Sequence, residues 1–134
     1  MSEETHGTEG VHAVEVLRTD TSWNGVPYER YPEGVPQLTV MRFSIPAHSS
    51  LSWHEHVVPN AAFVIEGAMT VEDRATGATH TVRAGEAFGE SVGAVHRGYT
   101  ADQATEVVVT YAGVEGVPLS IQAPTTDEQA IGDR

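Results

Sequence analysis

The stretch Leu51-Ser-Trp-His-Glu-His56 decides the fold and much of the chemistry of this 134-residue chain. The stretch has the character of a β-strand, and side chains two residues apart on a strand point to the same face. The imidazoles of His54 and His56 therefore converge. His96, on a neighbouring predicted strand, would complete a facial set of nitrogen ligands for a transition metal. The stretch predicts a metal centre inside a β-structure.

The residues that follow this stretch keep a regular spacing. After His56 come three residues, then Asn60, then six residues, then Gly67. In its histidines and its glycine this pattern resembles the first cupin motif, G-x5-H-x-H-x3,4-E-x6-G. It departs from the motif at His48, which stands in place of the first glycine, and at Asn60, which stands in place of the metal-binding glutamate.

A later run resembles the second cupin motif, G-x5-P-x-G-x2-H-x3-N. Gly85 is followed by five residues, and Ser91, Gly93 and His96 then keep the motif's spacing. Ser91 replaces the proline and Thr100 replaces the asparagine. The resemblance spans residues 48–100 and implies a small single-domain cupin, which is an all-β protein with a double-stranded β-helix, or jelly-roll barrel.

Short β-rich runs separated by glycine, proline and asparagine turns support that fold. Many short strands with frequent turns are typical of a sandwich or barrel. We expect one domain over residues 11–122, a flexible N-terminal arm over residues 1–10, and a C-terminal tail over 123–134 with one short helix starting near Thr125–Thr126. The predicted strands cover residues 11–17, 38–45, 51–56, 62–66, 68–73, 80–84, 86–91, 95–100 and 106–112.

Composition limits the partners. The formal charge of −12 disfavours nucleic acid and anionic lipid, because both repel an acidic surface. There is no cysteine, so the chain has neither disulfides nor a thiolate metal site. The polar N-terminus lacks a signal sequence and no apolar run is long enough to span a membrane, which favours the cytoplasm.

The resemblance implies one divalent transition metal per chain, held by His54, His56 and His96. Imidazole suits iron, zinc, nickel, manganese and copper alike, so the sequence does not select among these metals. Asn60 is either a fourth direct ligand or an outer-shell group that orients a water molecule. The predicted walls of a small substrate pocket are apolar and aromatic side chains: Met41, Phe43, Phe63, Ile65, Phe88 and Tyr111.

Glu90 is the candidate catalytic residue. It shares the parity of Phe88, which we expect to point inward, so Glu90 points toward the metal. It would act as a replacement ligand or as a general base whose pKa is tuned by burial and by the cation. The alternative is a salt bridge to Arg42 or Arg97 at the rim.

Two strands are apolar on both faces, which leaves one face in need of a cover. In the run Leu38–Ile45, Leu38 and Val40 share one face while Met41 and Phe43 share the other. A half-buried strand should show one polar face. We therefore expect a homodimer, and the alternative cover is the chain's own N-terminal segment.

Two classes of function agree with these residues. The first is a metal-dependent enzyme that performs dioxygenase-like oxidation of a small chelating substrate, as the resemblance implies. The same centre could act instead as a Lewis acid in isomerase or lyase chemistry. The second class is a non-catalytic binding or sensor module, since a fold does not imply catalysis.

Overall fold

Short antiparallel strands build the chain throughout the part that the structure, a computed structural model, describes. That part comprises residues 3–4, for which only the backbone pairing is given, and residues 9–124. The strands are β1 (Glu3–Glu4), β2 (Ala13–Val14), β3 (Pro36–Ile45), β4 (His54–Glu55), β5 (Asn60–Glu66), β6 (Ala68–Asp73), β7 (Thr79–Arg83), β8 (Ala87–Glu90), β9 (His96–Tyr99), β10 (Thr105–Val114) and β11 (Ile121–Gln122). The C-terminal helix predicted near Thr125–Thr126 lies outside the described residues.

Two sheets face each other. The first has four strands in the order β3-β10-β5-β8, and the second has five in the order β11-β4-β9-β6-β7. All of these strand pairs are antiparallel, and β1 with β2 forms a separate short pair. The prediction of an all-β, jelly-roll-like fold is confirmed. The two sheets form an open sandwich rather than a closed barrel, because each sheet ends in edge strands.

The core lies between the sheets and follows the two-residue alternation of their strands. On β10, Val107, Val109 and Tyr111 are buried, while the residues between them are less so. On β6 the buried positions are Met69, Val71 and Asp73. The inner faces of the two sheets interdigitate in this way to bury a continuous apolar cluster.

Two tight turns require glycine. Gly67 joins β5 to β6 with a φ of 84°, and a Cβ there would lie 2.5 Å from the carbonyl oxygen of Ala104. Gly77, between β6 and β7, has a φ of 74°. Residues other than glycine rarely adopt such backbone angles, so both turns favour glycine.

Two predicted strands are reduced to two residues each in the structure. Of residues 11–17, only Ala13–Val14 form a strand, and of residues 51–56, only His54–Glu55 do. Ser50 and His56 pair through isolated bridges, to Tyr99 and Val92. The predicted strand over residues 51–56 is therefore a two-residue strand flanked by single bridges rather than a continuous hydrogen-bonded strand.

The N-terminal segment covers part of the outer face of the four-stranded sheet. The backbone N–H of Trp23 donates to the carbonyl of Gly89 over 2.9 Å, and the Tyr28 hydroxyl donates to the carbonyl of Glu90 over 2.6 Å. Leu38 and Val40 nevertheless remain 76% and 63% exposed on the same face. The cover by the chain's own segment is therefore incomplete. Among residues 3–4 and 9–124, no helix could cross a membrane.

Candidate metal centre

Four side chains from both sheets converge at one end of the core. His54 lies on β4 directly opposite His96 on β9, and His56 follows two residues after His54. Glu90 ends β8 of the other sheet. One nitrogen or oxygen atom from each of the four side chains lies within 4.8 Å of the others. The strand parity that aligned His54 with His56 in the sequence therefore holds, with their ring centroids 5.0 Å apart.

Backbone carbonyls orient all three imidazoles. Nδ1 of His54 lies 2.7 Å from the carbonyl of Ser52, and Nδ1 of His96 lies 2.8 Å from that of Ala94, each two residues earlier. Nδ1 of His56 lies 2.8 Å from the carbonyl of Leu119. A carbonyl only accepts, so each Nδ1 carries the proton and donates. In the neutral ring, Nε2 then presents its lone pair to the centre.

The buried carboxylate of Glu90 faces two of these lone pairs. Its Oε2 lies 3.2 Å from Nε2 of His56, and its Oε1 lies 3.3 Å from Nε2 of His96. Glu90 is 8% exposed, His56 2% and His96 1%. Neither Nε2 makes a geometrically acceptable hydrogen bond. Buried acceptors that face each other at this distance need a cation between them.

Burial and the neighbouring groups shift the pKa values of these side chains in different directions. Burial raises the pKa of Glu90, but His56 and His96 outweigh it and bring that pKa down to about 2. Burial lowers the pKa of His56, yet Glu90 and the Leu119 carbonyl leave it raised. The pKa of His54 is lowered, chiefly by burial. Glu90 is therefore ionised and faces the two histidines as a carboxylate.

A divalent transition metal fits this donor set. The residues offer three imidazole nitrogens with their protons held on the far side, and one carboxylate oxygen. Such a set suits iron, manganese, nickel, zinc or copper. The backbone carbonyls are the outer-shell partners that metal-binding histidines require.

Asn60 lies next to this group, on the strand that pairs with β8. It stands opposite Glu90 across the β5–β8 pair and opposite Tyr111 across the β5–β10 pair, so the three side chains form one row on the inner face. Asn60 is 5% exposed, its Nδ2 donates to the carbonyl of Val58 over 3.3 Å, and its Oδ1 has no partner. Whether Asn60 is a direct ligand or an outer-shell group stays a prediction.

The salt-bridge alternative for Glu90 is wrong. Arg42 pairs with Glu106 over 2.8 Å, and Arg97 pairs with Glu72 over 3.0 Å. Both arginines lie on outward faces of their sheets. Glu90 points inward, as its shared parity with Phe88 predicted.

A cavity of about 160 Å³ opens beside His54, His56 and Glu90. Its walls are mostly apolar, and Ser52, Ser120 and Gln122 add polar groups. The apolar and aromatic lining residues are Phe43, Ile45, Leu51, Ala62, Met69, Phe88, Val107, Val109 and Tyr111. The cavity therefore contains three of the six predicted wall residues, Phe43, Phe88 and Tyr111.

The other three predicted wall residues lie elsewhere. On β5 the buried parity belongs to Asn60, Ala62 and Val64, so Phe63 and Ile65 face outward. Met41 shares the parity of Phe43 but is 39% exposed on an edge strand and does not line the cavity. β5 is apolar on both faces, and the smaller residues are the ones that point inward.

Tyr111 brings a phenol to the cavity. Its ring centroid lies 5.8 Å from that of His56. Burial, followed by the charge of Glu90, raises the pKa of Tyr111 to about 12. At neutral pH the phenol is therefore protonated, which makes it a hydrogen-bond donor and a poor base.

Some contributors to the site had no signal in the sequence. The carbonyl of Leu119 comes from the segment between β10 and β11, far along the chain from His56. The hydroxyl of Ser52, just before β4, donates a hydrogen bond to the side-chain oxygen of Gln122 on β11. The other two carbonyl contacts, each with the residue two positions before its histidine, are local.

Comparisons with known proteins identify the fold through solved structures, whereas comparisons of the sequence find no match. No protein-family model matches the chain. No curated protein sequence matches it either.

Solved structures match the chain despite low identity. It is similar to the DMSP lyase DddQ from Ruegeria pomeroyi DSS-3 (16% identity, TM-score 0.57, covering 64% of this chain and 43% of that one). It is also similar to the polyketide cyclase RemF from Streptomyces resistomycificus (20%, 0.57, 71% and 66%). A third match is a cupin-2 domain protein from Shewanella frigidimarina (16%, 0.50, 62% and 85%). The chain has a cupin fold.

The likeness to these cupins concerns the fold alone, at identities of 16–20%. The chain spans 43% of the length of the lyase and 66% of that of the cyclase. The cupin fold nevertheless explains why the two histidine motifs, which lie forty residues apart in the sequence, meet at one centre.

Proposed function

We propose that this protein is a metal-dependent enzyme that binds one divalent transition metal ion through His54, His56, Glu90 and His96 and acts on a small chelating substrate. The observation that carries the proposal is the buried pair of Nε2 atoms, 3.2 and 3.3 Å from the Glu90 oxygens and without hydrogen bonds. Such a cluster beside a cavity is the usual mark of a functional site.

The charge of the centre restricts the substrate. Three neutral imidazoles and one carboxylate leave a divalent ion with a single net positive charge. Among the residues that the structure describes, no lysine or arginine lines the cavity to hold a further anion. The substrate is therefore neutral or carries one negative charge, and it reaches the metal through an oxygen, nitrogen or sulfur atom.

The size and lining of the cavity restrict the substrate further. A volume of about 160 Å³ corresponds to roughly five water molecules. Phe43, Phe88 and Val109 favour an apolar body, while Ser52 and Gln122 offer polar contacts. Small phenols, diketones and thiol acids have this combination of a chelating end and an apolar body.

The protonation states favour oxidation over proton abstraction. When Glu90 and the three histidines hold the metal, the remaining ionisable side chain in the cavity is Tyr111, which stays protonated because its pKa is about 12. A lyase or isomerase needs a general base near the operating pH. A bound iron or manganese ion would supply one-electron chemistry with oxygen, for which this chain need only bind and orient the substrate and exclude water.

Two other functions would use the same residues differently. In Lewis-acid chemistry Glu90 would leave the metal and serve as the base. In a binding module the chain would hold a ligand without turnover. Each predicts a different response to oxygen, to the metal and to the loss of Glu90.

The test is oxygen consumption by protein reconstituted with Fe²⁺, Mn²⁺ or Zn²⁺, across a panel of phenols, diketones and thiol acids. We expect substrate-dependent oxygen uptake with a redox-active metal, and none with zinc. His54→Ala and Glu90→Gln should abolish this uptake. His48→Asn is the matched control, because His48 is exposed and Asn tolerates its positive φ of 56°.

Two results would contradict oxidation. Turnover that is independent of oxygen and supported by zinc would point to Lewis-acid chemistry. Saturable binding without turnover, at any metal, would point to a binding module.

A further inference from the structure

A loop over residues 20–28 bridges the two sheets next to the candidate metal centre. The backbone N–H of Tyr28, at the end of the loop, donates to the carbonyl of Asp20, at its start, over 2.9 Å. The hydroxyl of the buried Ser22 accepts from the backbone N–H of Val26 over 3.0 Å. The loop is therefore held in shape by its own hydrogen bonds.

One side of the loop is attached to the five-stranded sheet through Asn24 and Trp23. Nδ2 of Asn24 donates to the buried carboxylate of Asp73 over 2.7 Å, and Asp73 lies opposite His96 in the pairing of β6 with β9. The ring of Trp23 stacks on that of His80, with centroids 6.2 Å apart and planes 15° from parallel. This side of the loop is therefore fixed to the sheet that carries His96.

The other side of the loop holds the end of β8. The backbone N–H of Trp23 donates to the carbonyl of Gly89 over 2.9 Å, and the hydroxyl of Tyr28 donates to the carbonyl of Glu90 over 2.6 Å. β8 is an edge strand of four residues, and Glu90 is its last residue. The end of a short edge strand opens easily unless other contacts hold it, so these two bonds fix the backbone at Glu90.

The lack of a side chain at Gly89 lets the loop approach β8 this closely. A Cβ at Gly89 would lie 2.5 Å from the hydroxyl oxygen of Tyr28 and 3.3 Å from Cγ2 of Thr19. The backbone of Gly89 does not adopt the left-handed conformation that favours glycine. Close approach, rather than turn geometry, therefore requires glycine at this position.

We propose that Tyr28 is a positioning residue for the metal centre and acts through Glu90 by holding the backbone of that residue. The carboxylate of Glu90 lies 3.2 and 3.3 Å from Nε2 of His56 and His96. A functional site requires its ligands to stay within about 0.5 Å of the productive geometry. Loss of the bond to the Glu90 carbonyl would therefore displace the carboxylate without altering any ligand. The assignment rests on the proposed metal-dependent function, because it concerns the same four ligands.

The test is titration of the full chain with Co²⁺, followed by the visible absorption of the bound ion. Tyr28→Phe removes only the hydroxyl, and we expect the dissociation constant for Co²⁺ to rise about tenfold, the lower end of the range for outer-shell partners. At saturating Co²⁺ the absorption spectrum should differ from that of the wild type, because the spectrum responds to the coordination geometry. Tyr31→Phe is the matched control, since Tyr31 is 84% exposed, and it should change neither.

A second control separates positioning from stability. Val82→Ala truncates a side chain on β7 that is 1% exposed, and it should lower the melting temperature at least as much as Tyr28→Phe does. Its affinity for Co²⁺ and its spectrum should match those of the wild type, because Val82 lies outside the cavity beside the ligands. Equal losses of affinity in Val82→Ala and Tyr28→Phe would show that Tyr28 is merely structural and would overturn the proposal.

Gly89→Ala disturbs the same bond from the side of β8. Its methyl group would displace the hydroxyl of Tyr28, so we expect a similar loss of affinity for Co²⁺. The double variant Tyr28→Phe/Gly89→Ala should bind no more weakly than either single variant, because both changes remove one interaction. Losses that multiply in the double variant would contradict an action through this bond.

The behaviour of the wild type distinguishes failure of this proposal from failure of the proposed function. If the wild type binds Co²⁺ and Tyr28→Phe matches it in affinity and spectrum, Tyr28 does not position Glu90, and the proposed function stands. If the wild type binds no Co²⁺, the metal centre and the positioning role are both wrong.

Discussion

The tautomers of three histidines are the chemical basis of the proposed centre. Each Nδ1 is held by a backbone carbonyl, at 2.7–2.8 Å, so each Nε2 is free to coordinate. Backbone carbonyls are fixed by the fold and cannot rotate away. The ligand set is therefore oriented before any metal arrives, which reduces the entropy that binding must overcome.

In the proposed centre, Glu90 would supply from the neighbouring strand the carboxylate that the cupin motif places at the position of Asn60. Its side chain reaches His56 and His96 but no arginine. Its pKa of about 2 keeps it ionised at any physiological pH. A divalent metal ion at this centre would therefore find a ready anionic ligand.

Removal of the Tyr111 hydroxyl should change stability at high pH. Burial raises the folded-state pKa of Tyr111 to about 12, and that of Tyr28 also to about 12, from 10.0. The unfolded chain thus ionises first, so the stabilising effect is complete below pH 10 and is lost as the pH rises through about 12. Tyr111→Phe should reduce this alkaline loss in the free energy of unfolding.

The measurement is urea unfolding of the wild type and the variant at pH 9, 10 and 11. Tyr31→Phe is the matched control because Tyr31 is 84% exposed. An alkaline loss as large in Tyr111→Phe as in the wild type would contradict the assignment.

The pairing of β5 with β8 connects the two candidate carboxylate positions. Asn60 and Glu90 are directly opposite each other in the register, and both point inward. Side chains opposite each other in a sheet have Cβ atoms about 4.5–5.5 Å apart. A glutamate at either position can therefore reach the same end of the core.

Exchange of these two residues should preserve the metal centre. Glu90→Asn alone should lose metal affinity by more than the roughly 10–100-fold that outer-shell losses cost. The double variant Asn60→Glu/Glu90→Asn should regain most of that affinity, because it returns the carboxylate to the opposite strand. Isothermal titration with Mn²⁺ or Zn²⁺ measures both. A double variant as weak as Glu90→Asn would show that only β8 can present the ligand.

Strand parity determined how much of the site was predictable from the sequence. Alternation aligned His54 with His56 and directed Glu90 inward, as the structure has them. It failed at β5, where both faces are apolar and the larger residues, Phe63 and Ile65, turn outward. Side-chain size does not indicate which way a residue points when both faces of its strand are apolar.

Local sequence patterns do not predict contacts between segments that are distant in the chain. The carbonyl of Leu119 that orients His56 belongs to a segment without periodicity. The partnerships of Arg42 with Glu106 and of Arg97 with Glu72 depend on the register of strand pairs. Register emerges only when the whole sheet is assembled.

The proposed centre joins the two sheets of an open sandwich. His54 and His96 belong to the five-stranded sheet, whereas Glu90 belongs to the four-stranded one. Because no strand among the described residues closes the sandwich into a barrel, a metal bound between the two sheets would act as a cross-link. The unfolded chain could not gather these ligands, so metal binding should stabilise the folded state.

Metal should therefore raise the melting temperature. A free metal concentration of 100 times the dissociation constant adds about 2.7 kcal/mol to the free energy of unfolding. Thermal unfolding followed by circular dichroism, with Zn²⁺ or Mn²⁺ against a chelator, measures the shift. His48→Asn should keep the shift and His96→Ala should lose it. A shift retained in His96→Ala would place the stabilising metal elsewhere.

The most direct test of the account is the metal content of the purified protein, measured by elemental analysis after reconstitution and removal of excess metal. The four-ligand centre predicts about one divalent transition metal ion per chain in the wild type and in His48→Asn. It predicts little or none in His54→Ala, His96→Ala and Glu90→Gln, although all three remain folded. A wild type that retains no metal, or a Glu90→Gln variant that retains as much as the wild type, would contradict the centre described here.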